Sequence, residues 1–212
     1  MFPWLGYGHI SPYLELAKKL TARHNFKVFI CSSLATLNCI EHKITDQMLP
    51  SIKLIPILFQ DFPDLPRNLH TTNGLPPSLM PRLKEAMQSH MTIDGLSDIL
   101  SDFKPDLLIY DILQPWVPAL AKKHKIPAVQ FVTSSCAATS VMIHYYKNPS
   151  GRVEFPFPDI HNFSGLDPDE IDRELACANS PKERELMFTG LEKSSDIYGA
   201  REVKRYRVGQ RV

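Results

Sequence analysis

The sequence predicts an α/β domain built on a doubly wound, mostly parallel sheet. Short, apolar, β-rich runs alternate with amphipathic helical stretches along most of the chain. The runs lack the polar alternation of strands with one face in water, as expected for parallel strands buried on both faces. At 212 residues the chain suits one substantial domain. In such a sheet, ligands bind beyond the carboxyl ends of the strands.

The chain opens on a strand, a glycine-containing turn and a helix. Residues 1–5 (MFPWL) predict the end of a buried strand, and residues 6–9 (GYGH) predict a turn with unusual backbone angles. Pro12 suits the first turn of the helix that follows, whose apolar side chains recur on one face between residues 14 and 20. This order is typical of one unit of a doubly wound sheet.

Further strands and helices follow in alternation. We predict strands over residues 26–31, 52–58, 106–110 and 127–132, and helices over two stretches after Ser78 that separate near residues 90–92, over 114–124 and over 134–146. Beyond residue 147 the sequence predicts a proline-rich surface loop to residue 159, helices from Asp167 and over 181–191, and a possible strand at 195–198. His9, Asp111 and Thr133 therefore fall at carboxyl ends of strands.

Composition excludes several classes of function. The net charge is +1, without the basic excess of a nucleic-acid-binding surface, although residues 199–212 hold five basic residues against one acidic. No apolar run reaches membrane-spanning length and the start does not resemble a signal peptide. The four cysteines are scattered without a C-x-x-C pair, which indicates reduced thiols and no metal site. We expect a soluble, cytoplasmic protein.

His9 and Asp111 have the chemistry of a catalytic pair. A neutral histidine accepts a proton well near pH 7, and a carboxylate behind the ring fixes its tautomer and stabilises the imidazolium that forms. The residues alone leave alternatives open: His9 as an ordinary turn histidine, and Asp111 as a helix N-cap. Trp4 and Trp116 are expected in the core.

Two segments resemble a known family. Residues 2–20 (FPWLGYGHISPYLELAKKL) closely resemble the opening motif of inverting plant UDP-dependent glycosyltransferases of the GT-B fold. Residues 104–116 (KPDLLIYDILQPW) are similar to the family segment that supplies a carboxylate, and their Gln-Pro-Trp ending is closest to the branch that extends sugars on flavonoids and terpenoids. The resemblance covers about residues 1–198. It implies the Rossmann-like N-terminal half of a GT-B fold.

The resemblance implies a role for each matching position. His9 would deprotonate the acceptor, Asp111 would orient His9, and the Thr133 hydroxyl would touch the transferred sugar, although Thr133 also suits a helix cap. The residues placed near a small-molecule acceptor are Tyr7, Gly8, Leu113 and Gln114. The reaction would move a sugar from a UDP-sugar, a co-substrate rather than a cofactor, to a hydroxyl of a flavonoid or terpenoid glycoside.

The sequence departs from the family in its second half. The long motif by which family members grip the UDP-sugar is absent, so we expect residues 1–198 to form an acceptor-binding domain, with a basic tail at 199–212 and no C-terminal donor domain. UDP-sugar binding would then need a supplied C-terminal domain, and the chain alone would be almost inactive. A non-catalytic acceptor-binding or partner-binding module is the alternative. A serine hydrolase using Ser134 or Ser135 is disfavoured because no G-x-S-x-G elbow occurs.

Overall fold

A computed structural model describes residues 1–147 of the chain. The loop, helices, strand and basic tail predicted after residue 147 lie outside the described residues. The chain divides into two compact units, Met1–Ser135 and a second that begins at Cys136. Within the second unit, the described part is a single helix.

Helices and strands alternate along the described chain as the sequence predicts. The elements are α1 (Tyr7–His24), β1 (Val28–Ser32), α2 (Leu34–Glu41), β2 (Ile52–Pro56), α3 (Met80–Met87), α4 (His90–Phe103), β3 (Leu108–Asp111), α5 (Val117–Lys123), β4 (Ala128–Phe131) and α6 (Cys136–Lys147). Short 3-10 turns occupy Arg67–Leu69 and Pro77–Leu79. The fold is the predicted α/β, Rossmann-like class.

The sheet is parallel, and the start of the chain lies in its centre. Strand β1 pairs with β2, and β3 pairs with β4, both in parallel register. The N-terminal segment, residues 1–3, joins the two pairs: Cys31 N donates to Met1 O (2.9 Å), and Phe2 N donates to Ile109 O (2.8 Å). The order across the sheet is therefore β2, β1, N-terminal segment, β3, β4. Strand order reverses between the N-terminal segment and β3, where doubly wound sheets bind ligands.

Apolar side chains cover both faces of the sheet. Along β1, Val28 and Ile30 pack into one buried cluster with the apolar face of α1, whereas Phe29 and Cys31 pack into the other cluster. The second cluster also contains buried residues of α3, α4 and α5. Fully burying one leucine or isoleucine side chain contributes roughly 1.5–3 kcal/mol. Helices on both faces thus hold the strand ends in place.

Two details of the first half differ from the sequence prediction. Helix α1 begins at Tyr7 with Gly6 as its N-cap, so His9 lies inside its first turn and Pro12 lies beyond that turn. Helix α2 was not predicted. Its signal is the Ser33 hydroxyl, which accepts from Thr36 N (3.1 Å) as an N-cap. The short, eight-residue helix gave too little periodicity to be recognised.

Other element bounds shift by a few residues. The second strand ends at Pro56 rather than residue 58, and β3 spans Leu108–Asp111 rather than 106–110, so that Asp111 is its last residue. Helix α5 begins at Val117 instead of Gln114. Residues 112–116 form a turn instead, in which Gln114 N donates to Asp111 O (3.0 Å).

Candidate active site

Two neighbouring strand ends carry the candidate site. After the N-terminal segment the chain turns at Gly6 into α1, which places His9 one residue past Gly8 in the first helical turn. Asp111 ends β3, and its backbone N donates to Phe2 O (3.2 Å). Because the N-terminal segment and β3 are adjacent, their carboxyl ends bring the two side chains to the point where strand order reverses.

His9 and Asp111 form a hydrogen-bonded pair. His9 Nδ1 lies 2.8 Å from Asp111 Oδ2, and the side chain of Asp111 is fully buried while that of His9 is 26% exposed. Ionised carboxylates only accept hydrogen bonds, so the proton of a neutral His9 ring lies on Nδ1. Nε2 then carries a lone pair and has no hydrogen-bond partner among residues 1–147. This arrangement can accept a proton at Nε2.

The other oxygen of Asp111 is also engaged. Leu113 N donates to Asp111 Oδ1 at 3.1 Å. Each carboxylate oxygen therefore has its own donor, one on the His9 ring and one on the backbone of the following turn. The carboxylate plane is fixed by two hydrogen bonds at opposite ends, which orients the imidazole.

Thr133 lies against the same ring. Its Oγ1 is 3.3 Å from His9 Nδ1, a longer contact than that of Asp111. Nδ1 already carries a proton directed at Asp111. Thr133 Oγ1 can therefore be the second acceptor of a bifurcated hydrogen bond from Nδ1, but it cannot donate to Nδ1. The hydroxyl proton of Thr133 therefore does not go to His9. The sequence placed Thr133 near this site, and the structure does so too.

Two buried tyrosines lie behind the pair. Tyr13, one helical turn after His9, is fully buried and donates to Phe131 O at 3.3 Å. Burial, and then the negative charge of Asp111, raise the pKa of Tyr13 far above its usual range. Burial also raises the pKa of Tyr110 to about 12. Both phenols stay neutral at any working pH, so neither adds charge beside Asp111.

Tyr7 and Gly8 border open space on the solvent side of the turn. The ring of Tyr7 is 40% exposed, and its hydroxyl accepts a hydrogen bond from Lys43. That hydrogen bond, followed by one with Ser11, lowers the pKa of Tyr7. A Cβ atom built on Gly8 would meet no atom within 4 Å. Both residues therefore present surface to solvent.

Leu113 and Gln114, in contrast, lie behind Asp111. Leu113 packs against the apolar cluster, and Gln114 is fully buried, with its Nε2 donating to Pro3 O at 3.0 Å. No surface of Gln114 is open to a ligand in this conformation. A contact between Gln114 and an acceptor stays a prediction. In the structure, the Gln114 side chain instead contacts the backbone of the N-terminal segment. Trp4 and Trp116 lie in or against the core, as expected.

A loop that the sequence did not indicate supports the turn before His9. Thr72 N and Thr71 Oγ1 both donate to Leu5 O, at 2.7 and 3.2 Å. A Cβ on Gly6 would come within 2.8 Å of Thr72 Oγ1 and 3.5 Å of His9 Cδ2. Thr71 lies 66 residues from Leu5 in the chain, and nothing in a short polar loop signals so distant a contact.

Other features of the described residues lie away from this site. A cleft of about 580 Å³ opens at the amino ends of β3 and β4, lined by residues 104–106 and 124–127 among others, on the edge of the sheet opposite His9. Residues 1–147 contain no group of three or more metal-binding side chains, and Cys31, Cys39 and Cys136 are free thiols. No helix within residues 1–147 is long and apolar enough to cross a membrane.

Sequence comparisons find relatives among plant glycosyltransferases. The chain is 49% identical over 161 residues to a β-D-glucosyl crocetin β-1,6-glucosyltransferase of Gardenia jasminoides, covering 76% of this chain and 35% of that protein. It is 43% identical over 197 residues to UDP-glucosyltransferase 29 of Panax ginseng, covering 93% and 42%. The chain belongs to the plant UDP-glycosyltransferase family. It spans about a third to two fifths of the length of these relatives. No protein-family model matches the chain.

Solved structures of plant UDP-glycosyltransferases share the fold. The Glycyrrhiza uralensis protein UGT73P12 superposes with a TM-score of 0.63 at 20% identity, covering 73% of this chain and 32% of that one. Arabidopsis thaliana UGT89C1, in its complex with quercetin, superposes with a TM-score of 0.60 at 20% identity, covering 77% and 40%. This glycosyltransferase chain therefore has the architecture of one half of a GT-B fold.

Proposed function

We propose that this chain supplies the acceptor-binding, base-carrying half of an inverting UDP-glycosyltransferase. One observation carries the proposal: a partly exposed imidazole whose Nδ1 is hydrogen-bonded to a buried carboxylate at 2.8 Å, at the reversal of strand order. General bases must lie within hydrogen-bond reach of the proton that they remove, and Nε2 of His9 is the nitrogen left to do so.

In the proposed reaction, the two ring nitrogens of His9 have different roles: Nε2 accepts the proton and Nδ1 is held by Asp111. The acceptor hydroxyl transfers its proton to His9 Nε2 as its oxygen attacks the anomeric carbon of the sugar. The bond between that carbon and the diphosphate breaks, UDP leaves with the electron pair, and attack from the opposite side inverts the anomeric centre. Asp111 stabilises the imidazolium through its Oδ2, and the free hydroxyl proton of Thr133 donates to a hydroxyl of the transferred sugar.

The donor site belongs to the part of a GT-B protein that this chain does not match. The curated relatives are more than twice as long as their aligned region, and the sequence lacks the family motif for the UDP-sugar. Without groups that hold the diphosphate, neither alignment of the sugar nor stabilisation of the leaving group is supplied. We propose that residues 1–198 act in a cytoplasmic enzyme only together with a donor-binding half.

The acceptor is proposed to be a glycoside of a flavonoid or terpenoid. Two relatives have names that specify glucosylated acceptors: the Gardenia protein above and a flavanone 7-O-glucoside 2''-O-β-L-rhamnosyltransferase of Citrus maxima, 38% identical over 158 residues. Tyr7 and Gly8 lie on the open side of the turn, where such an acceptor would approach Nε2.

A chimera tests the proposal. The 212-residue chain, joined to the donor-binding half of the Gardenia relative, is incubated with UDP-glucose and glucosyl crocetin, and the product is followed by mass spectrometry. We expect a product heavier by one hexose. A folded chimera that binds UDP and acceptor but forms no such product would contradict the proposal.

A non-catalytic binding module is the second candidate, because Tyr7 and Gly8 present exposed surface that suits acceptor binding with or without transfer. Calorimetry on the 212-residue chain measures acceptor binding and UDP binding separately. Binding of an acceptor glycoside without binding of UDP supports a missing donor site, whereas tight UDP binding by this chain alone would refute it.

A further inference from the structure

We infer that Gln114 is a positioning residue that holds the His9–Asp111 pair in register. The inference rests on the proposed function, in which that pair removes the acceptor proton. Gln114 does not touch the reacting atoms: it is fully buried in the turn after β3, behind Asp111. Its effect is exerted through the two strand ends that carry His9 and Asp111.

The contacts of Gln114 span the gap between those strand ends. Its side-chain Nε2 donates to Pro3 O (3.0 Å), at the end of the N-terminal segment and six residues before His9. Its backbone N donates to Asp111 O (3.0 Å), at the end of β3. One residue is therefore hydrogen-bonded on one side to the strand that leads to the base, and on the other to the residue that orients the base.

The hydrogen-bonding balance of Gln114 argues against a role in stability alone. Its Oε1 is buried and has no partner among residues 1–147, so the amide has only half of its polar groups satisfied. A buried acceptor left without a donor is destabilising by more than a typical hydrogen bond stabilises. An apolar side chain of similar length would remove that cost while leaving Pro3 O unpaired, so the two effects nearly cancel. What the amide supplies, and an apolar side chain does not, is a hydrogen bond from the turn after Asp111 to Pro3 O.

The remaining contacts of the pair do not replace this one. Asp111 N donates to Phe2 O, a backbone hydrogen bond that joins β3 to the N-terminal segment whatever side chain lies at 114, and Leu113 N donates to Asp111 Oδ1 within the turn. Thr71 and Thr72 hold Leu5 O from the other side of the site. Among these contacts, that of Gln114 is the one in which a side chain joins the Asp111 turn to the N-terminal segment. Outer-shell partners of this kind fix the tautomer and orientation of a histidine ring.

The test is the tautomer of His9, measured by NMR on the 212-residue chain without substrate. Two-bond proton–nitrogen spectra near pH 8, above the ordinary histidine pKa of about 6.5, report which ring nitrogen carries the proton. The His9 signals are assigned from their disappearance in His9→Gln. We expect the wild-type His9 ring to carry its proton on Nδ1. In Gln114→Met, the ratio of the Nδ1-protonated to the Nε2-protonated tautomer should fall by about tenfold. Gln114→Asn, whose shorter amide does not reach Pro3 O, should behave alike.

Ile52→Val is the matched control. Ile52 is fully buried in the apolar cluster that packs against α1, and it has no contact with the His9–Asp111 pair. The substitution should lower stability without changing the tautomer ratio. An unchanged ratio in both Gln114 variants, or an equal change in Ile52→Val, would overturn the inference. A Gln114→Met chain that fails to fold, or that melts more than about 10 °C below the wild type, would also overturn the inference. Removing the unpaired Oε1 offsets the loss of the hydrogen bond to Pro3 O, so only a small change in stability is expected. Failure of the chimera to transfer sugar would leave these spectra unaffected, so the two proposals fail separately.

Discussion

Replacing Asp111 with asparagine tests how much the buried carboxylate contributes to catalysis. The carboxylate serves two donors with two oxygens, Oδ2 for His9 Nδ1 and Oδ1 for Leu113 N. An asparagine has one acceptor oxygen, so Asp111→Asn can satisfy only one of the two. The variant loses the negative charge beside the imidazolium and also loses one of the hydrogen bonds that orient the ring.

The size of the effect follows from the distance. For charge centres about 4 Å apart, an effective dielectric constant near 20 gives an attraction of about 4 kcal/mol. The proton is only partly transferred in the transition state, so about 2–4 kcal/mol is lost, which lowers kcat about 30- to 1,000-fold. Because Asp111 is fully buried, the acceptor KM should change less than about threefold.

The assay is steady-state transfer by the chimera described above, with circular dichroism to check folding. Asp106→Asn is the matched control, since Asp106 is an exposed carboxylate two residues before β3, and it should retain wild-type kcat. A folded Asp111→Asn variant with less than a threefold loss of kcat would refute the reasoning.

Three further outcomes are expected. Gly6→Ala forces its Cβ to within 2.8 Å of Thr72 Oγ1, which should lower the free energy of unfolding by about 1–2 kcal/mol in urea titrations, and Thr72→Ala should partly restore it. Gly8→Ala meets no atom within 4 Å in α1, and should raise stability by up to about 1 kcal/mol, whereas Gly8→Leu should weaken acceptor binding in calorimetry at unchanged stability. Burial lowers the pKa of His70, so the unfolded chain binds the proton more readily, and stability should fall as pH drops below about 6.5; a urea midpoint that does not fall there, or falls equally in His70→Gln, would contradict this.

The sequence predicted the parallel architecture because its evidence is local. Short apolar strands alternating with helices limit the choice of fold, and the run that contains His9 shows a strand, a glycine turn and a helix in order. The approach of His9 to Asp111 could also be anticipated, since both lie at carboxyl ends of strands. What the periodicity could not show was the central position of the N-terminal segment between β1 and β3, which depends on pairing across the chain.

The surroundings of the pair were beyond sequence reasoning. The supporting contacts of Leu5 O come from Thr71 and Thr72, and the buried position of Gln114 follows from a turn where the sequence predicted a helix. Such contacts are decided by tertiary packing, which no local pattern records. Tyr7 and Gly8, in contrast, are exposed, and the acceptor contact that the family resemblance implies for them stays a prediction.

The central claim is that His9 removes the acceptor proton, and kcat for His9→Ala in the chimera tests it most directly. Removal of a general base is expected to lower kcat about 10²- to 10⁴-fold. His42→Ala, which removes an exposed histidine from the end of α2, should leave kcat at the wild-type value. Equal turnover by wild type and a folded His9→Ala variant would contradict the account.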